Sequence, residues 1–146
     1  MKNFTLRKLL TVLFVLFATV ANAYEFEVDG IYYNIYSYNT VEVTSSGNYY
    51  NRYNGSVVIP ESVTYNGVTY SVASIGGGAF SSCSGLTSIE IPNSVTTIGS
   101  SAFRDCSGLR SVTSNATTAP AISDYTFRNI HYSAVLRYPA GSDYSS

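Results

Sequence analysis

The sequence predicts a mainly β protein, a short solenoid with a period of 23 residues preceded by an N-terminal antiparallel β-hairpin section. Three observations predict it. The run IGGGAFSSCSGLTSIEIPNSVTT from Ile75 returns as IGSSAFRDCSGLRSVTSNATTAP from Ile98, so that Ala79 and Ala102, Phe80 and Phe103, Cys83 and Cys106, Leu86 and Leu109, and Ile89 and Val112 fall in step. Self-similarity at that spacing marks stacked coils, each burying its apolar side against the next. A third copy follows from Ile122, with Phe127 in the place of Phe80, Leu136 in that of Ile89, Tyr138 in that of Ile91 and Pro139 in that of Pro92. Finally, Asp29-Gly30 and Asn66-Gly67 each lie within strand-like sequence, and such dipeptides take the positive φ angles of a tight hairpin turn.

Residues 1–23 read as a secretory signal peptide: Lys2, Arg7 and Lys8 give a basic start, Leu9 to Val20 is almost unbroken apolar sequence, and Ala21-Asn22-Ala23 is a small-residue cleavage site. The apolar run is about a dozen residues, too short to span a bilayer. The expectation is therefore a chain exported to the medium or the cell surface, cleaved after Ala23, with no membrane insertion of the mature part. Residues 24–56 form a Tyr-rich N-terminal β section, and residues 57–146 the solenoid, whose last coil reads as cut short at Ser146.

Taken in order, residues 24–28 and 31–36 alternate about Asp29-Gly30 and predict a hairpin, and Thr40 to Thr44 alternates again and predicts a strand. Ser45 to Ser56 is a polar, Gly- and Asn-rich loop carrying Tyr49, Tyr50 and Tyr53. Val57 to Ile59 before Pro60 matches Ile89 to Pro92, so the first repeat strand begins there; the hairpin signal at Asn66-Gly67 then interrupts the coil before Ile75. Within a repeat, Leu86, Ile89 and Ile91 point inward from a short strand that Pro92 ends, Gly85 and Gly99 serve turns, and Ala-Phe-x-x-Cys predicts one short helical turn. With about three coils the solenoid is near its lower size limit. The Tyr-rich strands are accordingly expected to close the N-terminal end of its core.

The unit L-x-x-I-x-I-P, seen in Leu86, Ile89, Ile91 and Pro92 and followed by Val95, Ile98, Ala102, Phe103 and Cys106, resembles the BspA-like leucine-rich repeats of bacterial surface proteins. The segment YEFEVDGIYYNI from Tyr24 is similar to the stretch that precedes such repeats. The resemblance implies a leucine-rich-repeat solenoid in a secreted or surface-displayed binding protein, within a family that includes adhesins, and carries over no enzymatic residues. Ser114 and Asn115 depart from the pattern by replacing its Ile-Pro step.

Composition narrows the partners. After Ala23 five Arg remain against nine acids, a net charge of minus four, and no Lys is left. Such a chain has no basic stripe to neutralise phosphates, which excludes nucleic acid and anionic membrane surfaces as expected partners. Ten of its fourteen Tyr fall between Tyr24 and Tyr70; Tyr suits contact surfaces, with an apolar ring and a polar tip, and is also a good strand former.

No chemistry-bearing constellation emerges. Cys83 and Cys106 occupy a slot that Ile130 fills in the third copy, so they read as reduced, buried thiols, although stacked coils could also bridge them. His131, the single histidine, takes the turn place of Ser84 and Ser107 and has no visible partner for nucleophilic catalysis. Gly76 to Gly78 return as Gly99, Ser100 and Ser101 without a following Lys, which is turn chemistry and not a phosphate cradle. The scattered carboxylates form neither a calcium loop nor a glycosidase pair, so catalytic, cofactor and metal sites are expected to be absent. Candidate binding residues are the outward strand positions Ser88, Glu90, Ser111, Thr113, Val135 and Arg137, the turn residues Arg104 and Arg128, and Tyr49, Tyr50 and Tyr53 of the loop. The expected partner is an extracellular protein or glycan, met by a monomer.

Overall fold

A computed structural model describes residues 23–47 and 53–144. The signal-peptide reading and loop residues Tyr49 and Tyr50 thus lie outside the described residues, apart from Ala23 itself. Strands β1 (Phe26–Val28) and β2 (Ile31–Ser37) pair antiparallel across Asp29 and Gly30, at φ 51° and 78°. A third strand, β3 (Thr40–Thr44), returns antiparallel along β2. After the loop, β4 (Gly55–Val58) begins the repeats, and the second hairpin joins β5 (Ser62–Tyr65) to β6 (Val68–Ile75) through Asn66 and Gly67, at φ 50° and 78°. The later coils contribute β7 (Leu86–Ile91), β8 (Thr97–Ile98), β9 (Ser111–Ser114), β10 (Ala121–Ile122) and β11 (Val135–Arg137).

These strands form two sheets. One runs β1-β2-β3-β6-β8-β10, with β5 paired to β6; the other, β4-β7-β9-β11, is wholly parallel. Because each coil returns after one period, equivalent residues become neighbours: Ser88 pairs with Ser111 and Ser111 with Val135, while Glu90 pairs with Thr113 and Thr113 with Arg137. The hairpin section is built into the stack, since β3 lies parallel to β6 in the place an earlier coil would occupy.

Between the sheets lie the inward residues Leu86, Ile89, Ile91, Val95, Ile98 and Leu109, all buried. An aromatic column runs alongside them: Phe80, Phe103 and Phe127 stack with successive ring centroids 5.0 and 5.3 Å apart, and Tyr53 packs at a tilt on Phe80 at 4.3 Å. Tyr53 therefore corrects the sequence reading. It is no exposed loop residue but the N-terminal member of the column, 7 % exposed, donating its hydroxyl proton to Thr44 O at 2.7 Å and accepting from Tyr32 N at 3.0 Å. Phe26, Ile31, Tyr32 and Tyr33 close the same end of the core, with Phe26 stacked on Tyr65 at 4.2 Å.

The Ala-Phe-x-x-Cys step is not helical. Alternate amides make short turns, Ala79 N to Gly76 O, Ser81 N to Gly78 O and Cys83 N to Phe80 O, while those between cross to the next coil: Gly78 N to Ser100 O, Phe80 N to Ala102 O and Ser82 N to Arg104 O. A helix would consume the crossing amides within the coil; stacked neighbours give them partners that an isolated coil lacks. The left-handed residues Gly78 and Ser82 recur as Ser101 and Asp105, then as Tyr125 and Asn129. Gly99 does not serve a turn angle; a Cβ there would fall 2.5 Å from Gly77 N, so its role is close approach of coils.

At the other end the stack stays open among the described residues. Ile122 is 61 % and Leu136 48 % exposed, where their equivalents in the inner coils, Ile98 and Ile89, are buried. The segment after Pro139 folds back, with Asp143 bridging to Thr118 and Tyr144 stacking on Tyr138 at 4.4 Å.

Candidate functional site: the parallel strand face

The pleat of the β4-β7-β9-β11 sheet sends Ile89, Ile91 and Val112 inward and places Ser88, Glu90, Ser111 and Thr113 on the outer face, part-exposed, with Val135 and Arg137 exposed at its end. The register gathers them into two rows. One reads Ser56, Ser88, Ser111, Val135 and the other Val58, Glu90, Thr113, Arg137, at the sheet spacing of about 4.8 Å. The backbone positions of Glu90 and Arg137 stand two strands apart, so one face carries a carboxylate and a guanidinium among hydroxyls. Several of these groups are held within the face: Ser88 Oγ donates to Ser56 Oγ at 2.8 Å, Asn115 Nδ2 to Glu90 Oε1 at 2.9 Å, and Arg137 Nη1 to Ser111 Oγ.

Ser56 and Val58 extend the face by one strand and were absent from the sequence-derived set. The alignment of Val57 and Ile59 with Ile89 and Ile91 carries the signal, since it puts the residues between them outward.

Arg104 and Arg128 lie apart from this face, on the turn side. Arg104 pairs with Asp105 at 3.2 Å, Asn129 Nδ2 donates to Asp105 Oδ1 at 2.7 Å, and the Arg128 guanidinium sits 5.3 Å from the centre of the exposed Tyr125 ring. Tyr125 is a further member of that side which the sequence did not single out. The structure thus brings together the six strand residues, groups the two Arg elsewhere, and removes Tyr53 to the core.

His131 makes a local turn: its Nδ1 accepts from Ser133 N at 3.2 Å and lies 2.8 Å from Ser133 Oγ, with the ring stacked on Tyr132. Cys83 and Cys106 are buried thiols, and Cys106 Sγ donates to Phe80 O at 3.0 Å. Burial, reinforced by the neighbouring Cys83, pushes the Cys106 thiol up to about 12. It stays protonated at neutral pH and is no nucleophile. Burial likewise raises the phenols of Tyr33 and Tyr53. Among the described residues no group of three or more His, Cys, Asp or Glu side chains could hold a metal ion, and no helix is long and apolar enough to cross a membrane.

A solenoid of parallel coils with apolar strand residues inward and a hydroxyl-rich face outward defines the leucine-rich-repeat class. Residues 46–142 match the family described as BspA type Leucine rich repeat region (6 copies), and the chain belongs to that family. Among solved structures, it is similar to a leucine-rich repeat protein from Bacteroides ovatus, at 27 % identity and TM-score 0.58, covering 79 % of this chain and 37 % of that one. A leucine-rich repeat protein from Bacteroides capillosus shares the fold at 24 % identity and TM-score 0.58, covering 79 % and 98 %. A leucine rich cell surface protein from Faecalibacterium prausnitzii does so at 20 % identity and TM-score 0.57, covering 80 % and 43 %. No curated protein matches the sequence.

Proposed function

We propose that this chain is a secreted or cell-surface, non-catalytic binding module of the adhesin type, which as a monomer recognises an extracellular protein or glycan through the outer face of β4-β7-β9-β11. The observation that carries the reading is the register of that sheet, which assembles hydroxyls, a carboxylate and a guanidinium from four coils into one surface. A repeat scaffold without chemistry is typically used as an extended contact surface, and the signal-peptide reading together with the surface location of the Faecalibacterium protein is consistent with display outside the cell. Arg137 is the expected anchor, since Arg is enriched among residues that dominate binding energy.

A second reading, a structural spacer within a larger repeat protein, is favoured by one observation: Ser88, Glu90 and Arg137 are each already hydrogen-bonded to a neighbouring side chain, Ser56, Asn115 and Ser111 respectively. A panel of extracellular proteins and glycans, tested against the immobilised chain without its leader, separates the two. Micromolar or weaker binding that is lost when Glu90, Thr113 and Arg137 are changed supports the strand face. Loss on changing Tyr49 and Tyr50 moves the contact to the loop, and absence of binding even at multivalent display leaves the spacer.

A further inference from the structure

Tyr125 breaks a rule that its equivalents keep. Its φ is +58°, in the slot where the two preceding coils have Gly78 and Ser101, and every other non-glycine described with a positive φ is Asp, Asn or Ser. Short polar side chains tolerate left-handed backbone, whereas a bulky one there is an outlier. Burial does not offset the strain, because Tyr125 is 62 % exposed. What its ring holds is Arg128, whose guanidinium sits 5.3 Å from the ring centre, within the range of a cation–π contact.

That guanidinium differs from the others. Arg104 pairs with Asp105, Arg110 donates to Gly108 O and Arg137 to Ser111 Oγ, but Arg128, alone among the described arginines, gives its guanidinium to no acceptor. Asp124, exposed on the same turn, makes no ion pair with it. A guanidinium steadied by a ring and left with its donors free is arranged for a bidentate carboxylate.

We propose that Tyr125 and Arg128 form a saccharide site on the turn side, specific for a uronic-acid unit. The carboxylate takes the Arg128 fork, and the C–H groups of the sugar ring lie against the exposed part of the Tyr125 ring. The strain at Tyr125 is the cost of presenting both groups from one turn. Asp105 and Asp124 carry negative charge on the same side, so the site suits a single carboxylate on an otherwise neutral sugar and not a polyanion. It lies apart from the strand face, and its failure would leave the reading of that face untouched.

The test adds methyl β-D-glucuronide, methyl β-D-glucoside or acetate, at constant ionic strength, to the chain lacking residues 1–22. Every buried hydrophobic residue lies between Phe26 and Ala116, so that chain retains its core. Proton–nitrogen correlation NMR of the Arg128 Nε–H and the Tyr125 amide reports the site. The glucuronide should shift both signals with millimolar affinity, while the glucoside and acetate, each lacking one of the two contacts, should bind about tenfold more weakly. Arg128→Gln should abolish the response of the Tyr125 amide, and Arg110→Gln should leave it unchanged. Tyr125→Gly, which installs the residue of the equivalent Gly78, should lose about tenfold in affinity at the Arg128 signal without lowering Tm. A merely structural tyrosine would not give that combination. Absence of any shift at about 50 mM glucuronide, ample for a ligand of this size, overturns the proposal, as does an equal response to the glucoside or undiminished affinity in folded Tyr125→Gly.

Discussion

Phe103 has a ring on each side of it, Phe80 at 5.0 Å and Phe127 at 5.3 Å, and is wholly buried. Phe103→Ala should therefore cost about 3–5 kcal/mol in denaturant unfolding, and more than Phe127→Ala at the open end. Cys106 makes a pH-dependent contribution whose sign follows from its environment. A thiol raised from the usual 9.0 to about 12 in the folded chain stabilises fully below the unfolded value and loses that stabilisation as pH rises from about 9 through 12. Urea unfolding between pH 8 and 11 should show a steeper decline for the native chain than for Cys106→Val. The repeat positions of Phe80, Phe103 and both cysteines were legible because each recurs after one period. Tyr53 was not, since a loop Tyr among many has no periodic counterpart to reveal that it continues the phenylalanine column.

Turns separate two uses of glycine. At Gly67 the φ of +78° is the constraint and a Cβ would meet nothing within 4 Å; at Gly99 the angle is ordinary and a Cβ would strike the Gly77 amide nitrogen. Gly67→Ala should cost about 1–2 kcal/mol, the strain of left-handed backbone. Gly99→Ala should cost about 3 kcal/mol, because the backbone it meets cannot rotate away as a side chain would. Thermal unfolding of the two variants checks the order. Both hairpins could be read from their turn dipeptides, and the strands from alternation. The supposed helical turn could not be corrected from sequence, since its geometry depends on carbonyls supplied by a coil 23 residues further on.

Across the whole molecule, the fold and its family followed from the period, because a single coil's apolar residues have nowhere to go except against the next coil. The outward rows followed too, as the complement of the inward ones. What bound them into one face was the parallel register, which also recruited Ser56 and Val58.

The repeat-to-repeat register also makes the molecule a ruler. Ile75 pairs with Ile98, and Gly76 stands to one as Gly99 stands to the other. Excising residues 76–98 would set Phe103 against Tyr53 and β9 against β4, keeping the aromatic column and the parallel register while shortening the chain by one coil. The excised protein should fold to the same spectroscopic signature with a lower Tm, since the repeat and one coil interface are lost together. Length in this architecture is thus adjustable in steps of about 4.8 Å, and a repeat protein built this way can change its length by duplication or loss of a coil.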